Sequence, residues 1–470
     1  MDPQATSSTG QDQYGFAEMH RLRLGVVFLG RERPGFDPDW GSEVESAARK
    51  ALDEMEYDII YPDRKAVDDP SLRAAVEQMR SGGAEALLAL QPTMADGRLA
   101  PVLGQQWDGP VVLWATPERQ DSDRVSACSL VGQHTFAANL AHLGMPFEIA
   151  YGDPREAETR QRLREAVRLA WTASKLPKAK VGLIGYHAPG FIDMHADPAG
   201  LSRSLGAQLY HYGVQEFISA VQEVDTERIG ADVQEVLEMN LPMEGVTEDD
   251  LRLASSYYLV LKELLSGQNF DALALRCWPE LPNVLGQWPY LAVSRLVSEG
   301  HALSIEGDVG GALTRLLGNL LGLGPVHLSD WLEHDRHVIN LWHVGVVPLQ
   351  MCHPAGSEHG PRLGRHFNND RPVVVNATLP PGHDVTVYRM WRCGDRYRLA
   401  GFEGETVEPT RTLLGTNCWT KVETRDVHHL FEELVHAGMP HHVAVIRGHH
   451  LDLLRRCARQ VNVEWVRCAE

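Results

Sequence analysis

Along the first quarter of the chain, short apolar runs alternate with stretches of helical periodicity. Residues 22–30 (LRLGVVFLG), 58–61 (DIIY), 86–90 (ALLAL) and 110–115 (PVVLWA) are apolar runs bounded by charge, glycine or proline, and helix-period stretches at 42–55 and 72–79 separate the first three. Runs this short and this apolar read as strands buried on both faces. Strands alternating with helices call for a parallel sheet with helices packed on either side, because each crossover must return the chain to the same edge. An all-helical bundle and an all-β sandwich are thereby excluded for this part. Ligands of such sheets bind beyond the carboxyl ends of the strands, here 91–94 (QPTM) and 116–118 (TPE). Neither GxGxxG nor GxxxxGK[ST] occurs, so nucleotide cradling by the usual glycine loops is not supported.

A second alternating unit begins after a charged helical stretch at 155–174, which 175–178 (KLPK) breaks. It runs through a strand at 180–186 (KVGLIGY), helices at 225–239 and 247–265, a strand at 271–278 (DALALRCW) and helices at 288–299 and 310–321. Thr247 and Asp250 stand at capping-box spacing at the start of one of these helices. From about residue 346 the character changes to short β-type segments at 373–377, 385–391 and 397–401, separated by Pro, Gly and Asp turns, with helical stretches at 427–437 and 451–459. The expected fold is α/β: two parallel-sheet α/β domains followed by a β-rich C-terminal domain. For 470 residues at about 150 per domain the division is a flexible leader at 1–20 and domains at 21–174, 175–345 and 346–470.

Composition narrows the partners. Asp and Glu number 63 against 44 Lys and Arg, a formal charge of -19, which argues against binding nucleic acid or an anionic membrane surface. No uncharged apolar run reaches the roughly 18–20 residues of a membrane span, and residues 1–15 lack the apolar core of a signal peptide. The seven cysteines are scattered without a CxxC, so neither a zinc ribbon nor a disulfide framework is indicated. The expected compartment is the cytoplasm. Of 22 histidines, 15 lie at or after His327, which marks the C-terminal part for metal binding or acid–base work.

The densest chemistry lies between Ser304 and His343. Glu306 and Asp308 follow a short apolar strand and precede a helix, and a further strand at 326–328 ends by Asp330. Two strands would then deliver a carboxylate each to one sheet edge, an arrangement suited to a divalent cation with open positions. The plainer reading is that these acids cap helices and turns. Trp278 and Trp419 offer aromatic faces either for a sugar or for core packing.

The same stretch carries a family likeness. Residues 273–348 resemble the L-fucose isomerase and L-arabinose isomerase superfamily of metal-dependent aldose–ketose isomerases. SIEGDVGG at 304–311 is similar to that superfamily's acidic turn, which implies Glu306 as a metal ligand. Asp330 of HLSD, 24 residues on, matches the fucose-isomerase spacing for the second carboxylate. PHHVAVIRGHH at 440–450 resembles the C-terminal histidine segment and implies the second histidine of the pair, His442, as the third ligand. LRCWPEL at 275–281 is family-like too, which implies Trp278 and Glu280 near the site, and LVGQHTF resembles a first-domain segment that carries Gln133 and His134 to a neighbouring subunit's site. Arabinose isomerases have a Glu where this chain offers Asp330 or Glu333, and a histidine on the next strand to which His343 would correspond.

The resemblance covers the middle and C-terminal thirds, and the N-terminal domain only in its α/β character. It implies isomerisation of a free sugar, of fucose or arabinose type or a 6-substituted hexose, through a cis-enediol. Glu306 and Asp330 would serve as base and acid, and Glu306, Asp330 and His442 would hold Mn2+, with Mg2+ or Co2+ as substitutes. Trp278, His343, Trp419 and Gln133 would contact substrate, in a homo-oligomer, a hexamer by analogy. The alternatives are a non-catalytic sugar-binding protein and a metal-dependent aldolase or hydrolase on the same scaffold.

Overall fold

The computed structural model describes residues 22–32, 35–55 and 57–468, and the expected leader at 1–20 lies outside them. The chain divides into two compact units at Lys175 and Leu176.

The N-terminal unit is built on five parallel strands, β1 (Arg23–Phe28), β2 (Asp58–Ile60), β3 (Ala86–Leu90), β4 (Val111–Ala115) and β5 (Phe147–Tyr151), in the order β2-β1-β3-β4-β5. Strands β3 and β4 are buried at every position, as helices on both faces require. The edge strand β5 was not expected from the sequence. Its burial alternates, with Phe147, Ile149 and Tyr151 more exposed than their neighbours, so it shows no continuous apolar run. At the rim, the Glu118 carboxylate accepts from the backbone N–H groups of Ser126, Ala127 and Cys128 at 2.7, 2.8 and 2.6 Å. It clamps the loop that leads into the helix Ser129–His142.

The second unit begins with four parallel strands, β6 (Lys180–Ile184), β7 (Gln208–Tyr212), β8 (Ala272–Leu275) and β9 (Ala302–Ser304), ordered β7-β6-β8-β9. Nine further strands follow: β10 (His327–His334), β11 (Val338–His343), β12 (Arg362–Arg365), β13 (Pro372–Thr378), β14 (Asp384–Cys393), β15 (Arg396–Thr406), β16 (Thr416–Val422), β17 (His442–Arg447) and β18 (Glu464–Trp465). They form one sheet in the order β12-β13-β16-β11-β10-β17-β14-β15-β18. Because β16 pairs with both β11 and β15, six of these strands close into an antiparallel barrel. Closure leaves these six strands without a free edge, and their inward side chains, among them Trp331, Leu341, Val387 and Val445, form one apolar core. Two parallel-sheet α/β layers and a β-rich C-terminal part are thus present. Among the described residues no helix is long and apolar enough to cross a membrane.

One strand departs from expectation. The run at 326–328 was expected to end a strand of the second α/β layer, but β10 continues to His334 and turns back into β11. Asp335 makes the turn, its Oδ1 accepting from the N–H groups of His337 and Val338 at 2.7 and 2.8 Å. Asp330 therefore stands within an antiparallel strand, not at the end of a parallel one. The charged residues of DWLEH, which look like a strand's end, are the outward-facing positions of a longer one.

Candidate active site

The site forms where the carboxyl end of β9 meets the outer wall of the barrel. Past Ser304 the chain turns sharply, with Glu306 at φ 62° and Gly307 at φ 72°. A left-handed residue other than glycine costs about 1–3 kcal/mol and persists only where its surroundings fix it. Here Ala188 N–H donates to the Glu306 carbonyl at 2.8 Å, and Gly307 N–H donates to the Leu275 carbonyl at 3.0 Å. No side chain fits at Gly307, whose Cβ would press into the Tyr186 carbonyl and lie 2.7 Å from His187 Cα. The turn leaves the Glu306 side chain largely buried, with Trp278 Nε1 donating to its Oε1 at 3.2 Å.

Asp330 and His442 arrive together because they are direct partners across the β10–β17 ladder. Their neighbours Trp331, Val443 and Val445 point into the barrel core, so strand alternation turns Asp330 and His442 outward. His442 Nε2 lies 3.3 Å from Asp330 Oδ1, 3.4 Å from Glu306 Oε2 and 3.3 Å from His343 Nε2. His441 adds a second ring, with Nε2 at 3.8 Å from Asp330 Oδ1 and 4.0 Å from Glu306 Oε2. Its Nδ1 is 2.8 Å from Asp193 Oδ2, and its ring rests against Phe191 at 4.8 Å.

Behind these groups stands Asp308, fully buried. It caps the helix Val309–Leu321 through Gly311 N–H, takes both terminal nitrogens of Arg389 at 2.9 and 2.7 Å, and accepts from His442 Nδ1 at 2.8 Å. With its Nδ1 proton directed to Asp308, a neutral His442 presents the Nε2 lone pair to the two other carboxylates, as a metal-binding imidazole must. His343 is oriented differently. Its Nδ1 accepts from Val344 N–H at 2.9 Å, which favours the Nε2–H tautomer and hence a donor facing His442.

Charge follows the same geometry. Burial pushes the Glu306 carboxyl up, but the bonds to His441 and His442 outweigh it and hold the group far below the usual range. Asp330 is likewise lowered: burial opposes ionisation, and His343 and His442 restore it. Burial alone would deprotonate His441, but Asp193 and Glu306 raise it to about 9. His442 is driven well above its ordinary value by Asp308, Asp330 and Glu306 against its burial. His343 falls to about 4, burial being the largest cause.

A cavity of about 400 Å³ opens over Glu306 and Asp330, with Trp278, Tyr290, Trp342 and Phe191 among its walls. Of the residues singled out in the sequence, Glu306, Asp330, His442, His343 and Trp278 are brought together. Glu333 is not: its carboxylate pairs with Arg411 at 2.7 and 2.8 Å and accepts from Asn340, which leaves Asp330 as the acid that faces the cluster. Trp419 lies on β16 opposite Asn340 and does not line the cavity. Gln133 belongs to the N-terminal unit, where it is fully buried. Its amide donates to the carbonyls of Ala89 and Trp114 at 2.7 and 2.9 Å and accepts from Gln91, tying strand ends to a helix. Those bonds engage both ends of the amide, whereas the next residue, His134, is exposed.

Asp308 with Arg389, Asp193 with His441, and His366 on the cavity wall had not been assigned roles. Asp308 alone had a local signal, an acid immediately before a helix. The donor set suits a divalent cation. Three carboxylate or imidazole atoms surround His442 Nε2 at 3.3–3.4 Å, near the spacing of about 3.0 Å between neighbouring ligands of an octahedral ion with bonds of about 2.1 Å. By distance alone, Glu306, His343 and His442 form one cluster of ligand-type atoms and Asp330, His441 and His442 another, with the Nε2–H tautomer of His343 turning a proton and not a lone pair toward the cluster.

The chain is similar to known sugar isomerases. Residues 195–321 match the family model of the L-arabinose isomerase central domain. The chain is 26% identical over 412 residues to the sulfoquinovose isomerase of Priestia megaterium, covering 86% of this chain and 90% of that protein. To the L-arabinose isomerase of Serratia proteamaculans it is 25% identical over 355 residues, 71% of this chain and 69% of that one. Matched in its middle domain and along most of its length, and carrying the acidic turn and paired histidines together in one cluster, the chain is similar to the superfamily of L-arabinose and L-fucose isomerases.

Proposed function

We propose that this protein is a metal-dependent aldose–ketose isomerase acting on a free sugar, with Glu306, Asp330 and His442 as the cation's ligands. The observation that carries the reading is that Glu306 Oε2 and Asp330 Oδ1 each lie within 3.4 Å of His442 Nε2 at the edge of a cavity. A sugar-binding protein has no need of buried ionised carboxylates aimed at a tautomer-fixed imidazole. Hard oxygen donors with imidazole suit Mn2+, with Mg2+ or Co2+ as substitutes. When bound, such an ion supplies Lewis-acid stabilisation of the negative charge that develops on the sugar oxygens.

Conversion of aldose to ketose moves the C2 hydrogen to C1 as a proton, and the O2 hydroxyl proton to O1, by way of a cis-enediol. Glu306 and Asp330 divide these transfers, both being ionised and therefore able to accept a proton. Protonated His441, braced by Asp193, keeps positive charge beside both carboxylates. Trp278 holds the other oxygen of Glu306, fixing the direction in which the carboxylate faces. Asp308 and Arg389 fix His442 from behind. The aromatic walls exclude water and offer faces for the apolar side of a sugar.

The substrate class is a pentose or a 6-substituted hexose, in keeping with relatives named for arabinose and sulfoquinovose. The enzyme works as a homo-oligomer, a hexamer by family likeness, in the cytoplasm. Metal analysis tests the site: purified protein should hold about one divalent ion per chain, and Glu306→Gln and His442→Ala should lose most of it. Unchanged metal content in both variants would sink the ligand assignment. An aldose screen with Mn2+ present tests the reaction, and no ketose from any pentose, hexose or 6-substituted hexose would leave a sugar-binding protein as the better reading.

A further inference from the structure

The wall of the cavity away from the metal ligands is made by the loop 366–371 and the aromatic pair beneath it. His366 lies flat on Trp288, ring centroids 4.3 Å apart and planes 14° apart, and Phe367 stacks beside it at 4.7 Å. The loop is locked by its own bonds. His366 N–H donates to the Arg371 carbonyl at 2.9 Å and Asp370 N–H to the His366 carbonyl at 3.0 Å, while Trp288 Nε1 donates to Asn369 Oδ1 at 3.1 Å. Asn368 N–H donates to His366 Nδ1 at 3.3 Å.

That last bond fixes the tautomer. With Nδ1 accepting, a neutral ring carries its proton on Nε2. Burial pushes the ring down to about 4, so it is neutral at physiological pH. No carboxylate among the described residues acts on its charge, which sets His366 apart from Glu306 and Asp330 although all three line one cavity. Only 5% of the residue is exposed, yet Nε2 is neither bonded to the protein nor among the buried atoms left without a partner, so it opens onto the cavity. The ring's face and Nδ1 are used by the fold, in the stack on Trp288 and the bond from Asn368, while its Nε2–H is left over from the protein's own bonding.

We propose that His366 is a substrate-binding, specificity-determining residue whose Nε2–H donates to an oxygen on the distal end of the sugar, remote from C1 and C2. This rests on the isomerase reading and deepens it. The recognised chemistry is a hydrogen-bond acceptor at the far carbon, either a hydroxyl or one oxygen of an anionic substituent. Because the ring is neutral, it reads the acceptor and not the charge.

The test uses full-length protein with Mn2+ and aldoses paired by the oxygen at C6: D-glucose with 6-deoxy-D-glucose, D-mannose with D-rhamnose, L-galactose with L-fucose, and the 6-sulfonate of 6-deoxy-D-glucose as the anionic arm. In whichever series is turned over, the wild type should favour a C6 acceptor over hydrogen by about tenfold in kcat/KM, through KM. His366→Phe, which keeps a ring on Trp288, should bring that ratio near one through a raised KM for the C6-oxygenated sugar, with Mn2+ content unchanged. His366→Asn, which retains a donor, should restore part of it and guards against misfolding of the first variant. A larger loss for the sulfonate than for the hydroxyl arm would assign the anionic source, and the reverse the hydroxyl. A ratio unchanged in His366→Phe, or no preference in the wild type, would overturn the assignment while leaving the isomerase reading intact. No turnover in any of these series would overturn this assignment, whereas the isomerase reading falls only if the wider aldose screen, pentoses included, yields no ketose.

Discussion

Asp308 accepts a 2.8 Å hydrogen bond from His442 Nδ1 while holding Arg389 through both of its oxygens, all three side chains being buried. One carboxylate thus caps a helix, neutralises an interior guanidinium and orients the proposed metal-binding imidazole. Asp308→Asn should lower divalent-cation affinity by about 10–100-fold, the usual effect of losing such a supporting partner. It should also cost about 3–5 kcal/mol of stability, because Arg389 is left buried without an anion. Metal titration and urea unfolding of the variant read the two effects separately.

Cation binding should stabilise the fold by mass action, about 2.7 kcal/mol at a free concentration one hundred times Kd. The resulting rise in Tm should vanish in His442→Ala. A thermal scan with and without Mn2+ is sufficient, and an equal rise in the variant would show that the ion binds elsewhere.

That binding should release protons. His442 is raised well above its ordinary value in the cation-free protein, so the ion must displace a proton from its ring. Affinity should therefore increase with pH over the range in which His442 still holds its proton. Calorimetry in buffers of different ionisation enthalpy should return about one proton released per ion.

Gly307→Ala should be damaging even though it adds a single methyl group. At φ 72° an L-residue is strained, and the new Cβ would run into the backbone of Tyr186 and His187. We expect a loss of more than about 1 kcal/mol in stability and a larger loss in turnover, since the next residue back is Glu306. Chemical denaturation beside steady-state rates will separate these.

The N-terminal unit should have its own acid transition. Glu118 is opposed by its burial but is held below its ordinary 4.5 by the N–H groups of Ala127, Ser126 and Cys128 and the Ser126 hydroxyl. A carboxylate lowered in the folded state contributes stability that is fully present above its unfolded value and is lost as pH falls through its folded one. Stability of this unit should therefore decline below about pH 4.5, and Glu118→Gln should be less stable at neutral pH with a shallower acid slope. Urea midpoints measured across that range provide the check.

Much of the scaffold was legible in the sequence. Strands β1, β3, β4 and β6 and the helix that follows Asp308 announce themselves through local periodicity, since burial on both faces demands unbroken apolar runs. Glu306 in the turn at 304–311, Asp330 24 residues on and the histidine pair at 441–442 were visible too. Edge strands such as β5 and β7, half exposed, leave no such trace.

Local pattern alone carries the alternating α/β order and the acidic turn. How the groups of the site face one another comes only with the packing of whole elements. Closure of the barrel set Asp330 opposite His442 and turned Glu333 away to Arg411. It took folding to bring Arg389 to Asp308 and Asp193 to His441, and to lay His366 on Trp288, partners separated by 81, 248 and 78 positions in the chain. Periodicity reports which face of an element is buried, because that depends on near neighbours. Which side chain meets which across such distances depends on the packing of whole elements, and no local pattern encodes it.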